Sequence, residues 1–287
     1  MIALESEALR LEIAPGLGGS VTRLDGRTRD GWRPILRPAE NAVDASQTAM
    51  HPLVPFANRV PDNLIDLVEP PVRLQPNVKG ESCALHGIGW QRPWRALETT
   101  PDSCTLELDV SDWVFAFRAM QRFTLEANWL RAEIAIENTS DRAIPAGLGF
   151  HPYFARRPGM TLAFRATHFW LEGPGYLPTD PISLAPELDF GAARALPDSW
   201  RNNAYSGWDG IATLRGPKGF VVTMTTDETL RELMLYTPPG ENFFCLEPQS
   251  HTTGAVAQAR AGGPARPLQI LQPTERLAGA MALAVDL

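Results

Sequence analysis

Apolar and polar residues alternate one by one along much of this chain. Leu106, Leu108 and Val110 interleave with Thr105, Glu107 and Asp109, and Leu130, Ala132, Ile134 and Ile136 interleave with Arg131, Glu133 and Glu137. A period of two sends successive side chains to opposite faces, as a strand buried on one side requires. Shorter runs of the same kind lie at 162–166, 220–225, 233–237, 243–247 and 277–285. Turn formers bound them, among them Asn138-Thr139-Ser140-Asp141, Gly216-Pro217-Lys218-Gly219 and Pro238-Pro239-Gly240. Many short strands separated by turns predict an all-β antiparallel sandwich or barrel. No stretch of 12 or more residues carries a capped 3.6-residue stripe, so helices should be few and short, with 39–50 the best candidate. The 26 prolines and 23 glycines show no period and mark turns, so residues 1–287 read as a single domain. The weakly patterned stretch 173–199 is expected to form a surface excursion.

Composition narrows the function classes. Hydrophobic residues make up 44% and charged residues 21%, enough apolar surface for a sizeable core. The formal charge of −7 argues against nucleic acid, whose binding depends on clustered Lys and Arg. Glu5 and Glu7 stand where a secretory leader would be basic, and the apolar run 280–285 is far shorter than the ~20 residues that span a bilayer. Neither export nor a membrane partner is expected. Cys83, Cys104 and Cys245 are odd in number and lack Cys-x-x-Cys spacing, which suits buried free thiols in a reducing cytoplasm.

Three stretches place titratable groups on an apolar background. They are His86 in Leu85-His86-Gly87-Ile88-Gly89-Trp90, His151 in Gly149-Phe150-His151-Pro152-Tyr153-Phe154, and Glu247 in Cys245-Leu246-Glu247-Pro248-Gln249. A carboxylate in an apolar pocket has its pKa raised toward that of histidine, and the two can then exchange protons near neutrality. Asn58-Arg59 follows an apolar lead-in and offers the mixed donors and acceptors that suit a neutral polyol; the alternative is a structural Arg59 paired with a carboxylate such as Asp62. His51, His168 and His251 are expected to be structural. Trp90, Trp94, Trp113, Trp129, Trp170, Trp200 and Trp208 could face a sugar ring, but most should lie in the core. There is no phosphate loop, no Gly-x-Ser-x-Gly elbow and no His-Glu-x-x-His pair. A metal site from His86, His151 and Glu247 would need three distant strands to converge and is a second choice.

Taken in order, Pro55-Phe56-Ala57-Asn58-Arg59-Val60, Leu85-His86-Gly87, Gly149-Phe150-His151-Pro152-Tyr153-Phe154 and Leu246-Glu247-Pro248-Gln249 resemble the aldose 1-epimerases, or galactose mutarotases. The resemblance implies a large antiparallel β-sandwich with a sugar cleft on one sheet. It casts Glu247 as general base on the anomeric hydroxyl and His151 as general acid on the ring oxygen, with His86, Arg59 and Asn58 binding the sugar. The family's sugar-binding aspartate falls on Asn202 in this sequence, and Asp209 nearby, in Gly207-Trp208-Asp209-Gly210, is either a substitute or a turn aspartate. A second departure is Pro61-Asp62-Asn63, where relatives tend to carry a glycine turn. No cofactor or metal is implied, the partner would be a small aldose sugar, and the chain would be a monomer or homodimer. A metal-dependent enzyme of a different β fold is one rival reading, and two others remain on this fold. One is a non-catalytic sugar-binding module. The other is a sugar-phosphate mutarotase, for which Arg156-Arg157 could supply the charge.

Overall fold

The computed structural model describes residues 1–255 and 264–287, and two antiparallel sheets dominate it. The larger sheet has eleven strands. Its order is Ile2–Glu5, Leu9–Ala14, Ser20–Thr28, Met50–Leu53, Gly149–Ala155, Phe243–Gln249, Glu232–Thr237, Arg201–Ser206, His168–Glu172 and Pro178–Ser183, with Gly31–Pro34 paired to Ser20–Thr28. The nine-stranded sheet runs Arg95–Thr99, Ser103–Val110, Phe117–Glu126, Trp129–Asn138, Arg276–Asp286, Val221–Thr226, Ile211–Arg215, Thr161–Phe164 and Arg194–Ala195. Leu106, Leu108, Phe117, Phe123, Leu130 and Ile134 of the smaller sheet share one buried cluster with Leu11, Ile13, Phe150, Phe154, Leu233 and Leu246 of the larger. This is the large antiparallel β-sandwich that the resemblance implies, and the period-two runs of the sequence form its inner faces.

The same alternation that sends Phe150 and Phe154 into the core turns His151 and Tyr153 to the other side of the larger sheet. On Phe243–Gln249, Phe244 and Leu246 face inward, so Cys245, Glu247 and Gln249 face outward. Register then aligns the outward residues. His51 pairs with His151, and the register joining Gly149 to Gln249 and Tyr153 to Cys245 sets His151 opposite Glu247. Glu247 pairs with Met234, and Met234 with Ala204. One row across five strands therefore carries the histidine and carboxylate groups on a single face.

Two sequence expectations need adjustment. Within 39–50 the helix reduces to one 3-10 turn, Ala45–Gln47, begun by Asp44, whose Oδ1 accepts the Ser46 N–H at 2.9 Å; Met50 then opens a strand. The 173–199 stretch is more than a surface excursion, because it supplies Pro178–Ser183 at the edge of one sheet and Arg194–Ala195 at the edge of the other. Its prolines interrupt the alternation that would have revealed those strands, and its Leu188, Phe190 and Leu196 are buried. The three cysteines are free and buried, as expected. No helix of the described residues is long and apolar enough to cross a membrane.

Candidate active site

A cleft of about 350 Å³ opens on the outer face of the larger sheet, above the row of aligned residues. His51, Asn58, Arg59, His86, His151, Asn202 and Glu247 line it, together with Trp90, Tyr153, Tyr176, Trp200 and Tyr236. Sequence reasoning named Asn58, Arg59, His86, His151, Asn202 and Glu247, and the fold brings all six to this one cavity. His151 Nε2 stands 3.3 Å from Glu247 Oε1 at its floor, with both side chains nearly inaccessible.

The electrostatics of that pair follow from burial. Loss of water pushes the Glu247 carboxyl up to about 8, against the opposing effects of a Gln249 Nε2–H hydrogen bond at 3.2 Å and of the Arg59 charge. Burial likewise holds His151 well below the ordinary histidine value, reinforced by His51, His86 and Arg37. At neutral pH the pair keeps one proton, carried on the carboxyl, with the imidazole neutral. Behind it the His151 ring stacks on Tyr153 with centroids 4.5 Å apart, and the Arg37 guanidinium lies 3.6 Å from the Tyr153 ring centre. This stack fixes the plane of the imidazole.

His86 arrives on a sharply turned segment. Both it and Gly87 have positive φ, and a Cβ on Gly87 would stand 2.3 Å from the Val54 carbonyl oxygen. The turn aims His86 Nδ1 at the Asn58 N–H, from which it accepts at 3.0 Å. Nε2 therefore carries the proton and presents a donor to the cleft. Burial, with the charges of His51 and Arg59, holds this ring neutral. His86, His151 and Glu247 do converge, with candidate ligand atoms within 4.8 Å of one another. The tautomer works against a metal: the His86 lone pair is engaged by Asn58, and the other nitrogen is protonated.

Arg59 does pair with a carboxylate, but with Glu81 instead of Asp62. Its Nε and Nη2 grip Glu81 Oε2 and Oε1 at 2.9 and 2.7 Å, and its guanidinium lies 4.9 Å from the Tyr176 ring centre. The cation is thereby neutralised at the cleft wall and left with Nη1 to offer. Asn58 Oδ1 accepts the Arg59 N–H at 2.9 Å, so its amide group is what it can turn to a ligand. Asn202 lines the cleft with Nδ2 on Glu172 Oε2 at 2.8 Å.

Asp209 is a correction. It is exposed in the turn beyond the far end of Arg201–Ser206 and outside the cleft lining, with its Oδ1 accepting the Ile211 N–H at 3.1 Å. Its short side chain satisfies its own turn, a common local use of aspartate. Arg156 and Arg157 also stay away from the cleft. Arg156 pairs with Asp198 at 2.5 Å, and Arg157 donates to the Pro34 carbonyl and covers the Phe220 ring. His251 is structural, with Nε2 accepting the Ala57 N–H at 3.0 Å.

Sequence reasoning set aside His51, which in fact completes the floor. Its ring lies 4.7 Å from that of His151 and stacks on Trp90 at 5.3 Å, and burial lowers its pKa to about 4. Its place at an alternate position beside Met50 was the available signal. Tyr153 was also missed, although its place two residues after His151 on one strand puts it on the same face; Glu81, Tyr176 and Tyr236 were missed with no such local mark.

The antiparallel β-sandwich thus carries a buried histidine and carboxyl, groups able to exchange a proton, at the floor of a polar, aromatic-rimmed cleft. Residues 1–284 match the family model described as aldose 1-epimerase, and this chain belongs to that family. It is 33% identical over 267 residues to the uncharacterized protein YphB of Escherichia coli K12, covering 89% of this chain and 91% of that one. A crystal structure from Escherichia coli K12, provisionally assigned as an aldose 1-epimerase, superposes with a TM-score of 0.91 at 31% identity over 99% of this chain and 98% of that one. The aldose epimerase homologue of Caenorhabditis elegans shares the fold, with a TM-score of 0.84 at 15% identity and coverage of 99% and 98%.

Proposed function

We propose that this protein is a cofactor-independent aldose 1-epimerase that interconverts the α and β anomers of a free, unphosphorylated aldohexose. The observation that carries the reading is the 3.3 Å contact between His151 Nε2 and Glu247 Oε1 on the floor of the cleft. Anomer exchange needs a proton removed from the C1 hydroxyl and one delivered to the ring oxygen as the C1–O5 bond breaks. After rotation about C1–C2, the reverse transfers close the ring on the other face. Following the family resemblance, Glu247 serves O1 and His151 serves O5.

The proton inventory of the pair suits this cycle. Carboxylate with imidazolium, reached from the resting pair when the Glu247 proton passes to His151 across the 3.3 Å contact, drives ring opening, and carboxylic acid with imidazole drives ring closure. Both forms hold one proton, so each half-reaction converts the pair into the form the next one needs. Two positioned proton carriers contribute about 10²–10⁴-fold each, a scale adequate for an intrinsically facile reaction. His86 Nε2–H and Arg59 Nη1 would hold sugar hydroxyls, and Asn58 would assist.

An unphosphorylated substrate is favoured because Glu81 already neutralises Arg59, and Arg156 and Arg157 are engaged elsewhere. The free, buried cysteines suit a cytoplasmic protein, the charge of −7 disfavours nucleic acid, and on this reading the partner is the sugar, bound by a single-domain monomer or homodimer with no membrane partner. The test is NMR anomer exchange on galactose, glucose, arabinose, fucose and glucose 6-phosphate, with Glu247→Gln as control. Exchange of free hexoses abolished by the variant is the expected result. Sugar binding without exchange would instead indicate a recognition module.

A further inference from the structure

Asn202 and Trp200 share a support that stands outside the cleft lining. Glu172 Oε2 accepts from Asn202 Nδ2 at 2.8 Å, and Glu172 Oε1 accepts from Trp200 Nε1 at 3.3 Å. Glu172 ends the strand His168–Glu172, where the register with Pro178–Ser183 shifts between Trp170 and Glu172. Such a shift re-aims a side chain. The strands need no help from these contacts, since Arg201–Ser206 already pairs along its length with Glu232–Thr237.

The consequence is chemical. An amide both donates and accepts and can present either end to a ligand, whereas a carboxylate accepts alone. Donating to Glu172 commits the NH₂ of Asn202 to that side and fixes the amide plane, and its Oδ1 has no hydrogen-bond donor among the described residues, so the acceptor end is the one left for a ligand. The same carboxylate pins the Trp200 indole, which is 42% exposed, at the cleft mouth. There the ring lies 5.8 Å from Tyr176 and stands perpendicular to Tyr236 at 5.4 Å. A fixed acceptor beside fixed aromatic faces fits a sugar hydroxyl next to a C–H surface.

We propose that Glu172 is a positioning residue that locks Asn202 as an acceptor and Trp200 as a ring face, and thereby sets which aldose hydroxyl pattern the cleft selects. The proposal rests on the aldose reading of the cleft. It differs from a structural role in one respect: an acceptor-only residue at position 202 should no longer need Glu172.

The experiment measures dissociation constants for galactose and glucose by calorimetry, alongside KM and kcat for anomer exchange, in the wild type, Glu172→Ala, Asn202→Asp and Glu172→Ala/Asn202→Asp. Glu172→Ala should raise Kd and KM about tenfold for the preferred sugar with kcat within about twofold, the scale of one lost neutral hydrogen bond. The double variant should recover most of the affinity, because aspartate accepts in either rotamer. Asn202→Asp alone should bind worse than the double variant at pH 7, since two carboxylates then face each other. Unchanged affinity in Glu172→Ala, or a double variant no better than Glu172→Ala, overturns the proposal. Binding is read independently of turnover. A wild type that binds sugars with this variant pattern but exchanges no anomers would sink the epimerase reading and leave this inference standing; a wild type that binds neither sugar overturns both.

Discussion

His151 Nε2 and Glu247 Oε1 lie 3.3 Å apart because the strands carrying them are locked in register by the Gly149–Gln249 and Tyr153–Cys245 pairs on either side. Neither group can withdraw without disturbing the sheet. Glu247→Gln and His151→Asn should each lower kcat by about 10²–10⁴-fold, the scale of one positioned acid or base. The double variant should be scarcely worse than the poorer single, since the two act as one unit. Polarimetry on a purified, cooperatively melting protein measures this, and near-native turnover in either single variant would contradict the assignment.

Activity should require the pair to hold one proton. Glu247 is pushed up to about 8, so the last proton leaves as pH rises through that value and kcat/KM should fall above it. On the acid side a second proton enters well below the ordinary histidine value, because burial opposes the imidazolium form of His151. The expected profile is a plateau across neutrality with its alkaline limb near pH 8. A limb near 4.5 and a flat line above it would mean that Glu247 ionises as an exposed carboxylate does.

The fold was legible because alternation survives in strands such as Trp129–Asn138, where burial follows the pattern almost residue by residue. The site was legible in part, since His86, His151 and Glu247 interrupt apolar runs. His51 and Glu81 were hidden for different reasons. His51 joins the cleft through cross-strand register with a residue one hundred positions away, and Glu81 meets Arg59 through a loop. Periodicity reports which face a side chain takes, but not which strands are neighbours. Asn202 lies on the strand Arg201–Ser206 at the cleft, whereas Asp209 sits in the turn beyond it, the turn role that its place in Gly207-Trp208-Asp209-Gly210 had suggested.

The Arg59–Glu81 clamp should set the response to substrate charge. With Glu81 engaged, the cleft offers a phosphate little net positive charge, so glucose 6-phosphate should have a KM about tenfold or more above that of glucose. Glu81→Gln should narrow that ratio by exposing the guanidinium charge, while kcat for glucose changes little. Steady-state kinetics on both sugars decides it. A wild type that prefers the phosphate ester would show that charge reaches the cleft from elsewhere.

Stability should carry the signature of the same buried carboxyl. In the folded chain Glu247 holds its proton up to about 8, whereas an unfolded glutamate releases it near 4.5. Between those values the native state binds more protons than the unfolded state. Its contribution is therefore fully present below about 4.5 and is lost as pH rises through 8. Glu232, buried and held at about 7 despite hydrogen bonds from Ser206 and Thr252, adds a loss of the same sign. His51 and His251, lowered by burial to about 4, act oppositely: the unfolded state takes their protons first as pH falls below 6.5, so they destabilise the acid side and are silent above it. Between pH 6.5 and about 8 the carboxyls shape the curve; toward pH 9 the buried thiols of Cys245 and Cys104, pushed up by burial, add a loss of the same sign in both proteins. Glu247→Gln keeps the shape and removes the ionisation, so it should melt higher than the wild type at pH 9, by on the order of a few kcal/mol, with the gap closing toward pH 5. Thermal melts from pH 5 to 9 test this, and parallel curves for the two proteins would show that the Glu247 carboxyl does not carry its proton to alkaline pH.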